Sequence, residues 1–324
     1  MKAVICEAFG PYKNHKVQEI DPPKIKKGHV RVKVRAAGVN FPDILIVEGK
    51  YQLKPPFPFT PGSECAGVVT ELGEGVDSIA VGANVFFGAM HGAFAEEVVV
   101  PAVQCFEIPD GMSFEQASAI NLVYGTSYYA LKNRGQLKPG EKLLVLGAAG
   151  GVGLAAVELG KAMGAKVIAA ASSDEKLAVC KEHGADLTIN YSDGDLKDLI
   201  REVAGGGVDV IYDPVGDKLA EPAFRCLNWE GRFLVIGFAG GEIPKLPLNL
   251  ALLKSADLRG VFWGAWLARF PDEHRQNTEE FLQMFADGKI NPRISNTYPL
   301  DDFILAYDEL AERRAMGKVV LTME

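Results

Sequence analysis

The sequence predicts an α/β protein of two domains, a doubly wound parallel sheet inserted into a β-rich domain made from both chain ends. Three observations carry this. An apolar run at 143–146 enters a glycine-rich turn at 147–153, and a helical pattern follows and stops at Gly164. From there to about residue 262 strand and helix patterns alternate, which is how parallel sheets are written in sequence. Before residue 110 the chain has short strands separated by proline and glycine turns, the pattern of a compact, barrel-like β domain.

Each element has its own warrant. Residues 30–34 alternate strictly and read as a half-buried strand. Segments 66–69, 84–87 and 95–100 are further strands, with turns at 21–23, 54–61 and 73–75. Ser113 with Gln116 three positions on reads as a capping box. The helix it opens runs to about 120, and 126–131 reads as another. The run 143–146 is a strand buried on both faces. Strands then follow at 167–170, 187–190, 208–212 and 232–236, with helices at 174–183, 196–203 and 218–227 between them. An edge strand at 258–262 closes the series. Two helices, 278–286 and 302–312, and a strand at 318–322 make the tail, which is assigned back to the β-rich domain. The expected domains are 1–122 with 264–324, and 123–263.

Bulk properties remove several functions. The chain has 324 residues and a net charge of −8, which disfavours nucleic acid and anionic membrane as partners. No stretch of about 18 uncharged apolar residues is present, so no membrane span is expected. The start, 1–10, reads as a first strand rather than a signal peptide. Five scattered cysteines without a C-x-x-C pair argue against a disulfide framework and a structural zinc, and for a reducing, cytoplasmic setting.

The glycine turn carries the first chemistry. Its string is A-x-G-x-x-G, with Ala148 where the first glycine would stand. Gly150 and its neighbours allow close approach of a phosphate, and Gly153 allows tight packing of helix on strand. The helix N-terminus offers free N–H groups and the positive end of a dipole to a pyrophosphate. Ala149, Gly150, Gly151 and Val152 are the expected contacts. A glycine turn in an ordinary α/β sheet is the competing reading; the strand before and the helix after favour the nucleotide.

The end of the next strand bears on which nucleotide. NAD-binding folds carry an acid about 20 residues past the glycines for the ribose 2′-OH. Ala171 holds that position here, followed by Ser172 and Ser173, with Lys176 one turn on and Tyr191 past the next strand. Hydroxyls and an ammonium suit a 2′-phosphate, so NADPH is the expected cofactor. The alternative is a helix cap at Ser173 and a solvated Lys176, with Asp174 or Glu175 shifted into the acid position. Phe238, just past Gly237, and Phe262, at the end of the edge strand, are carried as further cofactor contacts.

Several segments together resemble one family: 36–43 (AAGVNFPD), 61–67 (PGSECAG), 125–130 (GTSYYA), the 147–153 turn, and Gly184-Ala185 leading to Asn190-Tyr191. Over nearly its whole length the chain resembles the medium-chain dehydrogenase/reductases, and among them the zinc-free quinone oxidoreductases that include the zeta-crystallin-like proteins. The resemblance implies a GroES-like catalytic domain from both chain ends, a Rossmann domain between, and a homodimer. The apolar segment 258–263 is the expected pairing edge.

Departures from the zinc-dependent branch sharpen this. At the positions where that branch has catalytic zinc ligands, this chain has Asn40, Ser63 and, near Leu122, no cysteine. None is a strong zinc ligand; Cys65 beside Glu64 reads as a buried thiol. Without zinc no Lewis acid activates an alcohol. The expected activity is therefore NADPH-dependent reduction of an electrophilic small molecule, a quinone or α,β-unsaturated carbonyl. An enoyl thioester reductase and a crystallin-like NADPH-binding protein of low turnover are the alternatives. Asn40 would orient the nicotinamide ribose or donate to substrate, Tyr51 would line the cleft or donate a proton, and Thr126, matching a family position near the nicotinamide, would contact ring or ribose. Asp43 reads as a residue that holds local structure.

Overall fold

The computed structural model describes residues 1–324. The chain forms two compact units, Met1–Leu122 with Pro292–Glu324, and Val123–Asn291.

In the second unit six strands make one sheet, in the order Leu187–Asn190, Lys166–Ala171, Lys142–Leu146, Val208–Asp213, Leu227–Val235, Asp257–Gly260. Every neighbouring pair is parallel. Within the unit this is the order 3-2-1-4-5-6 of dinucleotide-binding sheets, whose ligands bind where the order reverses. The reversal lies between Lys142–Leu146 and Val208–Asp213, so the glycine turn stands at the switch point. Leu143, Leu144, Val145 and Leu146 are fully buried, which accounts for the unbroken apolar run.

In the first unit seven strands form a mostly antiparallel sheet around His29–Val39, which pairs with Glu64–Leu72, Glu97–Pro101 and the C-terminal Lys318–Thr322. A short helix, Phe41–Val47, follows His29–Val39 directly. The capping box is present: Gln116 N–H donates to Ser113 Oγ at 3.2 Å, and Ser113 N–H to Gln116 Oε1 at 3.3 Å. No helix is long and apolar enough to cross a membrane.

Three expectations need correction. The chain returns to the first unit at Pro292, not at 264. The helix expected at 278–286 is Pro271–Ala286 and belongs to the second unit. Its fully buried Phe281 packs on Tyr124 and Tyr128, with ring centroids 6.4 and 6.1 Å away, and Lys132 binds its Asn277 at 3.0 Å. A tail helix is read from its own periodicity, which does not say which core takes its apolar face. The edge strand ends at Gly260, and Phe262 instead caps the helix Trp263–Arg269.

Replacing Phe281 with Ala should lower the free energy of unfolding by about 3–5 kcal/mol, as for other buried aromatic truncations. Urea titration measures it; a loss under about 1 kcal/mol would mean that this helix is not docked as described.

Candidate active site

The first unit contributes a buried polar network. Asn40, 4% exposed, follows the strand His29–Val39 and caps Phe41–Val47. Its Nδ2 donates to Glu64 Oε1 at 2.9 Å and to Gly38 O at 3.3 Å, and reaches Ser63 Oγ at 3.5 Å. Its Oδ1 accepts from Lys318 Nζ at 2.6 Å. Lys318 also donates to Glu64 Oε1 at 2.8 Å and to Val39 O at 3.0 Å. Glu64 Oε2 accepts the Leu122 N–H at 2.8 Å. Glu64 and Lys318 are 1% and 5% exposed.

The backbone makes this arrangement possible. Lys318 opens the C-terminal strand, whose Val319 pairs with Val39, so its ammonium lies beside Asn40. Gly38 leaves room for the carboxylate: a Cβ there would lie 2.7 Å from Glu64 Oε1 and 2.4 Å from Ser118 O.

Asp43 extends the network. Its Oδ2 accepts the Asn40 N–H at 2.8 Å and its Oδ1 accepts from Ser63 Oγ at 3.1 Å. Burial pushes its carboxyl up to about 7, against the pull of the Asn40 N–H, Lys318 and Ser63. Asp43 is the N3 acid of the capping box that starts Phe41–Val47, the local structural role the sequence suggests, and it also bonds Ser63. Tyr51 packs against the cluster of Cys6, Ile46, Val47 and Phe59, and burial, with the charge of Asp43, raises its hydroxyl. Burial likewise holds the Cys65 thiol well above its usual range.

The second unit, by itself, holds a glycine turn and a strand end. Gly150 caps the helix Gly151–Ala162, whose first turn holds no acid. A Cβ on Gly153 would lie 2.3 Å from Gly147 O, so the helix sits directly on the turn. A Cβ on Gly150 would meet nothing nearer than 3.5 Å, which leaves backbone open to an anion. Ala149 is buried and Val152 half-buried, and Val152 O accepts from Ser127 Oγ at 3.0 Å. Ala171 ends its strand beside Asn190. Exposed Ser172 accepts from Lys176 Nζ at 3.4 Å, and Ser173 caps the helix Asp174–Glu182. Asn190 holds Asp174 Oδ1 at 3.2 Å, and Tyr191 N–H donates to Ala171 O at 3.1 Å. Thr126 is half-buried in the helix Asn121–Tyr128. Phe238 and Phe262 are 39% and 60% exposed.

The structure thus joins Asn40 to residues that sequence reading did not assign a role, Lys318 above all. The one signal for Lys318 was a charge opening the apolar strand run VVL. The Asn40 amide bonds Glu64 and Lys318 at 2.9 and 2.6 Å.

Known proteins bear on these features. Residues 26–110 match the alcohol dehydrogenase GroES-like domain and residues 151–286 the zinc-binding dehydrogenase family. A quinone oxidoreductase-like protein 2 homolog of Nematostella vectensis is 39% identical over 99% of this chain and 88% of its own. The human synaptic vesicle membrane protein VAT-1 homolog is 32% identical over 99% of this chain and 86% of its own. The Escherichia coli quinone oxidoreductase, solved with NADPH, superposes with a TM-score of 0.93 at 30% identity, over all of both chains. The zinc named in one family description does not suit this donor set. Asn40, Ser63 and Glu64 are bonded to one another, to Asp43 or to Lys318, and no three His, Cys, Asp or Glu side chains converge as a metal site.

Lys318→Met should destabilise the protein by about 3–5 kcal/mol, because it strands a buried carboxylate. The double variant Lys318→Met/Glu64→Gln should recover much of that loss in chemical denaturation. Equal losses for the single and double variants would disprove the pairing.

Proposed function

Because the chain belongs to the zinc-free quinone oxidoreductases of the medium-chain dehydrogenase/reductase superfamily, we propose that it reduces a quinone or an α,β-unsaturated carbonyl with NADPH. One observation carries the reading. The side chains at the positions where zinc-dependent relatives have ligands bond one another and Lys318. An acceptor taken by such a site must be electrophilic without a Lewis acid. When bound, NADPH supplies the hydride.

The chain's own residues do the rest. In this reading the Gly150, Gly151 and Val152 backbone at the helix start takes the pyrophosphate, with Ala149 beside it. Ser172, Ser173 and Lys176 take the 2′-phosphate, and Tyr191 flanks them. Thr126 meets the nicotinamide, and Phe238 and Phe262 offer apolar surface to the cofactor. Asn40 is a positioning residue that fixes Glu64 and Lys318, and Tyr51 lines the acceptor site.

We infer further a homodimer in the cytoplasm. The exposed edge strand Asp257–Gly260 carries a half-exposed Leu258, and a bare edge of this kind favours pairing across a two-fold axis. Five buried free cysteines suit a reducing compartment. Light scattering at micromolar concentration tests the assembly; a monomer overturns it.

NADPH oxidation across quinones, enones and enoyl thioesters tests the activity, and no oxidation with the first two classes overturns it. Cofactor choice gives a sharper prediction. Lys176→Ala should weaken NADPH roughly tenfold, the loss of one charge-assisted bond partly screened by solvent. It should leave NADH nearly unchanged. Ala171→Asp should act the other way, repelling the phosphate and accepting from the ribose 2′-OH. Calorimetric titration of both nucleotides decides it: equal weakening of both by Lys176→Ala would sink this assignment of the pocket.

A further inference from the structure

We propose that Ser63 and Asp43 form a proton relay, in which the Ser63 hydroxyl protonates the acceptor oxygen and the Asp43 carboxyl restores the hydroxyl. The proposal rests on the reductase reading above and assigns its proton. Asp43 is 1% exposed; its Oδ2 accepts the Asn40 N–H at 2.8 Å and its Oδ1 accepts from Ser63 Oγ at 3.1 Å, the one hydroxyl it touches. Ser63 is half-buried, the member of the network with access to solvent. The pair thus runs from an enclosed acid to a half-buried hydroxyl. Ser63 Oγ also lies 3.5 Å from Asn40 Nδ2.

The surroundings of Asp43 suit a proton store. Lys318 on the C-terminal strand and Glu64 on Glu64–Leu72 act on it with opposite signs. Tyr51, in the loop after its own helix, and Tyr307, on Phe303–Ala311, feel its charge. Tyr307 is fully buried and its hydroxyl has no hydrogen-bond partner. Burial pushes the carboxyl up to about 7, so it can take up and release a proton near neutral pH.

The step balances. With NADPH bound as the two-electron reductant, a hydride would form a C–H bond at the acceptor, and the displaced electron pair would move to the acceptor oxygen. An O–H bond forms there as the Ser63 O–H breaks. The Asp43 O–H breaks as the Ser63 O–H reforms, and the carboxylate takes a proton from water. The acceptor gains two electrons and two hydrogens, and the nicotinamide is oxidised.

The test uses the intact protein with NADPH and an accepted quinone or enone. In wild type kcat should fall as pH rises through about 7. Ser63→Ala and Asp43→Asn should each lose that inflection and lower kcat on the order of a hundredfold, the usual scale of general acid catalysis. Their NADPH affinity should not change. Infrared titration gives a readout without turnover: a protonated carboxyl band that disappears near pH 7 in wild type, persists to higher pH in Ser63→Ala, where the hydrogen bond that lowers the carboxyl is gone, and is missing in Asp43→Asn. Stability gives another. The folded pKa lies above the unfolded value, so the stabilising contribution of the protonated form is lost as pH rises through about 7. Wild type should lose more stability than Asp43→Asn between about pH 5 and 8. Should Asp43→Asn fail to fold, Ser63→Ala still decides the kinetics and wild type the infrared titration. No turnover with any acceptor overturns the reductase reading and the relay with it. Turnover that keeps its inflection in Ser63→Ala, or the lack of a carboxyl titrating near 7, overturns the relay alone.

Discussion

A carboxylate enclosed by protein needs a cation or a proton, and Glu64 has the ammonium of Lys318 at 2.8 Å. The constraint organises the first unit. Lys318 is available because the chain's last strand returns to pair with His29–Val39, 254 residues after Glu64. Gly38 is small because the carboxylate occupies the space beside it. Asn40 faces inward because its amide bridges the two charges. The pair need not add net stability, since desolvation offsets most of its Coulombic gain. What it enforces is geometry: with the pair intact, Asn40, Ser63 and Asp43 have one arrangement. A metal would have to displace these bonds before finding a ligand.

In the second unit backbone rather than side chains meets the expected charge. The helix start at Gly151–Ala162 carries no acidic first turn, and its dipole and free N–H groups suit an anion. Two turns into the same helix stands Glu158, 5% exposed, which accepts from Tyr124 Oη and the Asn291 N–H and pairs with His183 Nδ1 at 2.6 Å. Tyr124 and Asn291 stand at the two places where the chain enters and leaves this unit. One carboxylate therefore ties both chain crossings to the helix at whose start the glycine turn lies.

What the sequence discloses follows the range of each interaction. The parallel strands and the A-x-G-x-x-G turn depend on neighbours within a few residues, so periodicity and glycine spacing reveal them. The Ser113 cap is legible for the same reason. Lys318 is not, because a lysine opening a strand has no local mark of its partner. Asp43 is visible as a helix-start acid, yet its burial and its bond to Ser63 depend on packing of elements far apart in sequence. The tail helix Pro271–Ala286 shows its amphipathic pattern but not the core that receives Phe281. Phe262 looks like the last residue of a strand because apolar runs do not separate a strand end from a helix cap.

A reductase without a metal still has to deal with negative charge on the acceptor oxygen. Preorganised hydrogen-bond donors can stabilise that charge, but the donors of this network are mostly committed: Lys318 to Glu64, Val39 and Asn40, and the Asn40 amide to Glu64 and Gly38. Ser63 differs, since its bond to Asp43 can reverse direction without moving a heavy atom. With Asp43 protonated, the carboxyl donates and the hydroxyl is free to turn outward; with Asp43 ionised, the hydroxyl is held inward as the donor. In the proposed relay the protonation state of a single enclosed acid sets which way the half-buried Ser63 O–H points. A carboxyl held near 7 by burial lets both states exist at neutral pH, whereas an Asp at its usual value would keep the hydroxyl turned inward. The burial that makes Asp43 look like a structural residue is what allows it to give up a proton.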